Sequence, residues 1–579
     1  METQLGLTIF LLQNPQDWKE KAIAALTGMG LRTMARAGRL LIWNPEEPKA
    51  KGHGFSYCSG WKISREPLDR QRVGLGVKSV RLYFYDGEDS PTGIPENILT
   101  KNGWLPPEIP SDRVSLAIEF GQRLAQELEG MEDSPVKWNH LITGIREKTM
   151  LLTANGLPAP LGDKPCEVVR RNGFLDVPAD FEIVLASEDS NDSRVSAYAN
   201  TLSDAMRAFG VDGRLSTTSF SSVLTALESK DNLLDRLAGK ALVVALEGRV
   251  GDGLSESEST LMDKLDGLGL RYRMFSLNNP QARFSGLNQL SDLVEAAGGS
   301  SFALGLPWPD HMKVKPFMLG VDLGHPLESG HSVLAVALCD SYGRLLRSWR
   351  CEQTRDETAN PSNLIRILKL AKREVRERTG LDNHPFLLIR DGRLTDGEKA
   401  ATYLGHLSNR LTFCDVSKRP DAHPFSSFEG DLEVAPAGTA FFGSDRSIAY
   451  FVSCPPPFAR QMVNLQKVRF PETWDGLGLG LETLLEVLVG LSYSPCLGLK
   501  PHRSAGPVHW ADGFASIAPD NCRFRGFGCN EMTNAESHPQ ATSKNLPRGN
   551  SQRFSPAVDR ADKHRKVPIG RNAKSLCPS

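Results

Sequence analysis

The sequence lacks a long apolar run, a paired cysteine motif and a strong excess of either charge. Nowhere in its 579 residues is there a stretch near the ~18 consecutive apolar residues that a membrane helix needs. Residues 5–12 are apolar enough for the core of a signal peptide. Glu2 precedes them, however, and neither a basic leader nor a small-residue cleavage site flanks them. They read as a first strand, in a cytoplasmic protein with no membrane partner. The ten cysteines are scattered and none forms a CxxC pair, which argues against a zinc finger and against a disulfide framework. Reduced, buried thiols are expected instead. With 68 Lys+Arg against 69 Asp+Glu, the net charge of −1 gives no overall nucleic-acid signal.

That balance hides an asymmetry. Residues 519–579 carry 11 Lys/Arg against five Asp/Glu, so the positive excess sits at the C-terminal end. The same stretch is rich in Asn, Ser, Pro, Gly and Arg and has few aliphatics. It cannot bury enough apolar surface to offset its ordering entropy. A disordered or aberrant tail over 520–579 is the expectation, and the abruptness suggests an altered reading frame or a lost C-terminus.

The rest has ordinary globular composition, 40% hydrophobic and 24% charged. At roughly 100–200 residues per domain, several domains are expected. Residues 1–170 read as α+β, with strands near 39–44 and 80–85 and a helix over 114–127, and stay otherwise unassigned. Residues 171–310 alternate buried strands (181–187, 241–248, 270–277) with helices (195–209, 258–268, 286–297). That alternation predicts a parallel sheet covered on both faces, a Rossmann-like α/β layout. No GxGxxG follows any of these strands, so no dinucleotide site is assigned.

From 311 to 519 the pattern changes. A strand over 316–326 holds Asp322 near its end. A meander follows over 331–353, then a helix over 363–378. A second strand over 385–390 leads into Asp391. Two central strands that each deliver an aspartate, with a helix between, form the frame of ribonuclease H-like nucleases. Neighbouring carboxylates repel and raise each other's pKa, and proteins tolerate them mainly around a divalent cation. Hard oxygen donors suit Mg²⁺ or Mn²⁺. The competing reading is two strand-end acids capping loops.

Five stretches in order resemble the PIWI domain of Argonaute proteins. They are GVDLGHP (320–326), RDGRLTDGE (390–398), LTFCDVSKRPDAHPF (411–425), APAGTAFFGSDRSIAYFVSC (435–454) and LSYSPCLGLKPHRSAGPVHWAD (491–512). The resemblance covers 310–515 well and 175–310 moderately, as the companion MID domain. It does not visibly reach 1–170, and no PAZ domain is recognisable. It implies a prokaryotic-type Argonaute, truncated or PAZ-less, with a Rossmann-like MID domain at 171–310 and a ribonuclease H-like PIWI domain at 311–519. The implied catalytic tetrad is Asp322, Glu357, Asp391 and Asp512, with metal held by Asp322, Asp391 and Asp512. Glu352 competes with Glu357 for the mobile glutamate's role. The implied partners are a short guide nucleic acid and a complementary target strand, DNA or RNA. The implied activity is metal-dependent endonucleolytic cleavage. A non-cleaving guide-binding module acting through an accessory protein is the alternative.

Candidates for nucleic-acid contact are Lys418, Arg419, Arg503, Arg273 and Gln281. For each, surface solvation is the competing reading. One departure stands out. The MID-domain lysine that usually precedes a Gly-Gly and holds the guide's 5′ phosphate is replaced by Ala296-Ala297 before Gly298-Gly299. Weak dependence on a 5′ phosphate is expected.

Overall fold

A computed structural model describes residues 3–532 except 37, 48, 52–54, 86, 92–108, 139, 155–157, 162–164, 229–239, 249–253, 269, 279–285, 326–329, 355, 357, 400–409, 419, 454–463, 471–474, 495–501, 503 and 517–528. Among the described residues no helix is long and apolar enough to cross a membrane. Of the described cysteines, Cys58, Cys339, Cys351 and Cys414 are buried.

The first 135 residues build a seven-stranded antiparallel sheet around the long hairpin of Phe55–Pro67 and Val73–Tyr85. Helices Trp18–Gly28 and Pro110–Glu127 cover one face, where Trp18, Phe10, Leu75 and Phe120 meet in one core. Trp61 stacks on Phe120 with ring centroids 4.3 Å apart.

The apolar run at 5–12 is not one strand. Gln4–Leu7 pairs antiparallel with Pro424–Phe428, whereas Ile9–Leu12 joins the seven-stranded sheet through Val73–Tyr85. Buried Thr8 is the break. Its hydroxyl donates to the Val77 carbonyl and accepts from the His423 N–H, so one side chain satisfies backbone groups on both sides. Glu66 makes a second such bridge, with Lys467 Nζ 2.6 Å away and the Tyr450 hydroxyl donating to it.

Residues 182–276 form a four-stranded parallel sheet in the order Arg214–Ser219, Glu182–Ser187, Lys240–Leu246, Tyr272–Ser276. Ser193–Ala208 and Gly286–Ala296 pack on one face, Phe220–Glu228 and Glu256–Gly267 on the other. Three of these strands are legible as apolar runs. The fourth, Arg214–Ser219 (RLSTTS), is not, because an edge strand is only half-buried and can be polar.

The largest sheet has ten strands and mixed direction. Its centre runs Leu345–Thr354, His331–Cys339, Phe317–Gly324, Phe386–Asp391, Leu411–Ser417. Pro361–Thr379 lies on one face; Gly480–Leu491 and Gly506–Ala515 lie on the other. At its edge Cys529–Met532 pairs parallel with Leu345–Thr354. These four residues fall inside the stretch expected to be disordered, and there the expectation is corrected. An open strand edge offers backbone N–H and C=O groups that a polar segment can use without an apolar core. Residues 520–528 and 533–579, the rest of that stretch, lie outside the described residues.

Candidate active site

Phe317–Gly324 and Phe386–Asp391 are adjacent and parallel, with Val321 opposite Arg390. One step further along each strand, Asp322 and Asp391 stand side by side. A third acid comes from helix Gly506–Ala515, whose Val508, Trp510, Ala511 and Phe514 are buried. This helix lies directly on the Asp322 strand. A Cβ on Gly320 would stand 2.0 Å from the Pro507 carbonyl oxygen, and one on Gly324 would stand 2.2 Å from that of Ala515. Glycine at these two positions therefore permits the approach that brings Asp512 in. Carboxylate oxygens of Asp322, Asp391 and Asp512 lie within 4.8 Å of one another.

Lys418 enters this cluster, one residue past strand Leu411–Ser417. Its Nζ is 2.6 Å from Asp391 Oδ2, 3.1 Å from Asp512 Oδ1 and 3.8 Å from Asp322 Oδ2. Burial alone would lower its pKa, but Asp322, Asp391 and Asp512 together hold the ammonium above the usual lysine value. Asp322 is 6% exposed, and its Oδ1 accepts the Leu323 N–H at 2.8 Å. Its carboxyl is pushed well above the usual carboxylate range by burial first and by Asp391 next.

Behind the acids lies a buried support that sequence reading missed. Arg390 Nη1 is 3.7 Å from Asp322 Oδ1 and also donates to the Asp391 carbonyl. Its Nε donates to Glu398 Oε1 at 3.2 Å. Glu398 accepts the Thr395 N–H at 2.8 Å and the Ala359 N–H at 3.1 Å. Gln353 donates to the Thr358 carbonyl and accepts the Asn360 N–H, each at 2.8 Å. Gln353 and Glu398 thus hold the backbone of Thr358, Ala359 and Asn360. The signal available in sequence was the Thr-x-x-Glu spacing of Thr395 and Glu398, a helix-start pattern.

The structure therefore brings Asp322, Asp391, Asp512 and Lys418 together. Glu357, Arg419, Arg503 and Gln281 lie outside the described residues. Glu352, the competitor of Glu357, is exposed on strand Leu345–Thr354. Arg273 sits in the four-stranded parallel sheet, away from the acids of the ten-stranded one. Its Nη1 donates to the Tyr272 carbonyl at 2.9 Å, and desolvation pushes its pKa down to about 10 against the pull of Asp292.

In the parallel sheet, the strand order reverses between Glu182–Ser187 and Lys240–Leu246, where open α/β sheets bind ligands. Arg194 is there, 2.8 Å from Glu247 Oε2, bound to its own N-cap Asp192 and donating to Asn278 Oδ1 at 2.9 Å. Ala296 and Ala297 pack against the main core.

No family model matches the sequence, and no curated relative matches it either. Solved structures do. Clostridium butyricum Argonaute bound to a guide DNA and a 19-mer target DNA superposes with a TM-score of 0.64 at 11% identity, over 89% of this chain and 87% of that one. The chain has an Argonaute fold. Marinitoga piezophila Argonaute in complex with 5′ OH guide RNA gives 0.60 at 11% identity, over 86% and 85% of the two chains. A. aeolicus Argonaute gives 0.55 at 13% identity, over 88% and 97%. These shares are too large to leave residues 1–170 out. The Argonaute likeness therefore extends into the region where no sequence motif is visible, since fold persists at identities where motifs fade.

Proposed function

We propose that this chain binds a short guide nucleic acid and cleaves a complementary target strand with Mg²⁺ or Mn²⁺. One observation carries the reading: Asp322, Asp391 and Asp512 converge from two strands and a helix on one cation-sized space in a chain with the Argonaute fold. The structural neighbours that carry a guide and a target support the same partners for this chain. In this reading residues 1–170 are the N-terminal α+β region. The parallel four-stranded sheet belongs to a Rossmann-like MID domain at 171–310. The ten-stranded sheet is centred on a ribonuclease H-like PIWI domain at 311–519, and 520–579 is the tail.

Three hard carboxylate donors fit Mg²⁺ or Mn²⁺, and the ammonium already among them marks the cradle as one for cations. When bound, the metal supplies Lewis acidity and neutralises charge during in-line phosphodiester hydrolysis. Asp322, Asp391 and Asp512 would hold the cation. Glu357 completes the set. Lys418, Arg419 and Arg503 meet backbone phosphates, which position a strand without reading its sequence. Arg273 and Gln281 belong to the guide-binding half.

The test is to sequence the nucleic acid that co-purifies with the protein, then supply a matching guide and target in Mn²⁺. The parent cleaves, and Asp391→Ala loses cleavage while keeping its guide affinity. Equal cleavage by both would overturn the reading. Guide binding without cleavage by the parent would leave the non-cleaving module.

A further inference from the structure

We infer that Lys418 is a resident counter-cation that occupies the divalent-metal position and must leave it before a metal binds. The inference rests on the metal-site reading above but concerns the lysine alone.

The geometry is that of one cation in one cradle. Lys418 is 17% exposed, and its Nζ touches oxygens of Asp391 and Asp512 while standing 3.8 Å from Asp322. Those are the three residues that would hold the metal, and their oxygens span no more than 4.8 Å. Mg²⁺ binds oxygen at about 2.0–2.1 Å. A divalent ion held by these three carboxylates would therefore compete with the ammonium for their oxygens. Arg390 also stands 3.7 Å from Asp322 Oδ1, but its guanidinium is tied back to Glu398 and to the Asp391 carbonyl, so among these cations it is Lys418 that reaches Asp391 and Asp512.

Sequence places the ammonium just past the strand next to Asp391, with Asp391 opposite Val416. The four-carbon stem is flexible and its head is strongly hydrated, so the ammonium can move out while the backbone stays fixed. The lysine thus balances the charge of the three carboxylates that it sits among. It also competes with the metal at a high effective concentration, because it is tethered beside the site. Metal uptake releases it to a strand phosphate, which offers a replacement anion. In this scheme the lysine's contact with phosphate follows metal uptake.

Two measurements on the full chain test this. The first uses the parent protein: an amine-reactive acylating reagent labels lysines, and mass spectrometry reads Lys418 with and without Mn²⁺. Lys418 should be protected without Mn²⁺ and labelled several-fold more with it. The second titrates Mn²⁺ by electron paramagnetic resonance. Lys418→Met should bind Mn²⁺ about tenfold tighter or more than the parent, and Lys418→Arg, which keeps the charge, no tighter than the parent. Mn²⁺ uptake with unchanged Lys418 labelling would overturn the inference and leave the metal-site reading standing. So would equal Mn²⁺ affinity of the parent and a folded Lys418→Met. No Mn²⁺ uptake by the parent or by the variants would overturn both.

Discussion

Arg390 and Glu398 form a buried ion pair, with Nε 3.2 Å from Oε1 and side chains 5% and 0% exposed. Arg390 reaches Asp322 on one side, while Glu398 holds the Ala359 N–H on the other. The pair therefore ties the acidic cluster to the backbone at Ala359. Removing one partner leaves a buried charge uncompensated, which costs about 3–5 kcal/mol. Glu398→Ala should lose stability on that scale in denaturant unfolding. Glu398→Gln keeps an acceptor for the Ala359 N–H and should lose less. A loss under about 1 kcal/mol for Glu398→Ala, the level of an exposed pair, would show that Arg390 finds another partner.

Gly320 sets the contact that positions Asp512. A methyl group there would overlap the Pro507 carbonyl oxygen, and backbone cannot yield as a side-chain tip can. Gly320→Ala should destabilise the fold by about 1–3 kcal/mol or more through overpacking. It should also weaken Mn²⁺ binding, because helix Gly506–Ala515 must shift. An unchanged melting temperature together with unchanged Mn²⁺ affinity would contradict this account.

Glu295 supplies a pH dependence far from the acids. Burial, followed by the charge of Asp292, pushes its carboxyl up to about 8. An unfolded glutamate titrates near about 4.3. Between those values the folded chain holds a proton that the unfolded chain has released, so stability falls as pH rises through the window. Glu295→Gln removes that proton uptake. Its melting temperature should fall less than the parent's between pH 5 and pH 8, and the two curves should separate most at the alkaline end. Parallel curves would mean that Glu295 is ionised in the fold.

The guide's 5′ end should matter little. Arg194 is already engaged by Asp192 and Glu247, and Ala296-Ala297 offer no ammonium. A buried lysine–phosphate contact would add roughly 1.5–3 kcal/mol. Two guides identical except for the 5′ phosphate should bind within about tenfold of each other. A larger preference for the phosphorylated guide would show that other residues build the pocket.

How much of this could be read from the chain follows from the range of each signal. The strands around Asp322 and Asp391 are buried on both faces, so they appear as local Val/Ile/Leu runs, and the order of elements from 316 to 391 is legible from residue type alone. The acids stand out for the same reason, since each ends such a run. Strand Arg214–Ser219 and strand Cys529–Met532 leave no such mark, because edge pairing uses backbone groups that every residue carries. The break at Thr8 is invisible for a related reason: it is fixed by Val77 and His423, partners far along the chain. Resemblance alone placed Asp512 in the set. It took the tertiary structure to put Lys418 among the acids, Glu398 behind Arg390 and a helix against Gly320. Each of these joins residues distant in sequence, through charge and close packing that have no period along the chain.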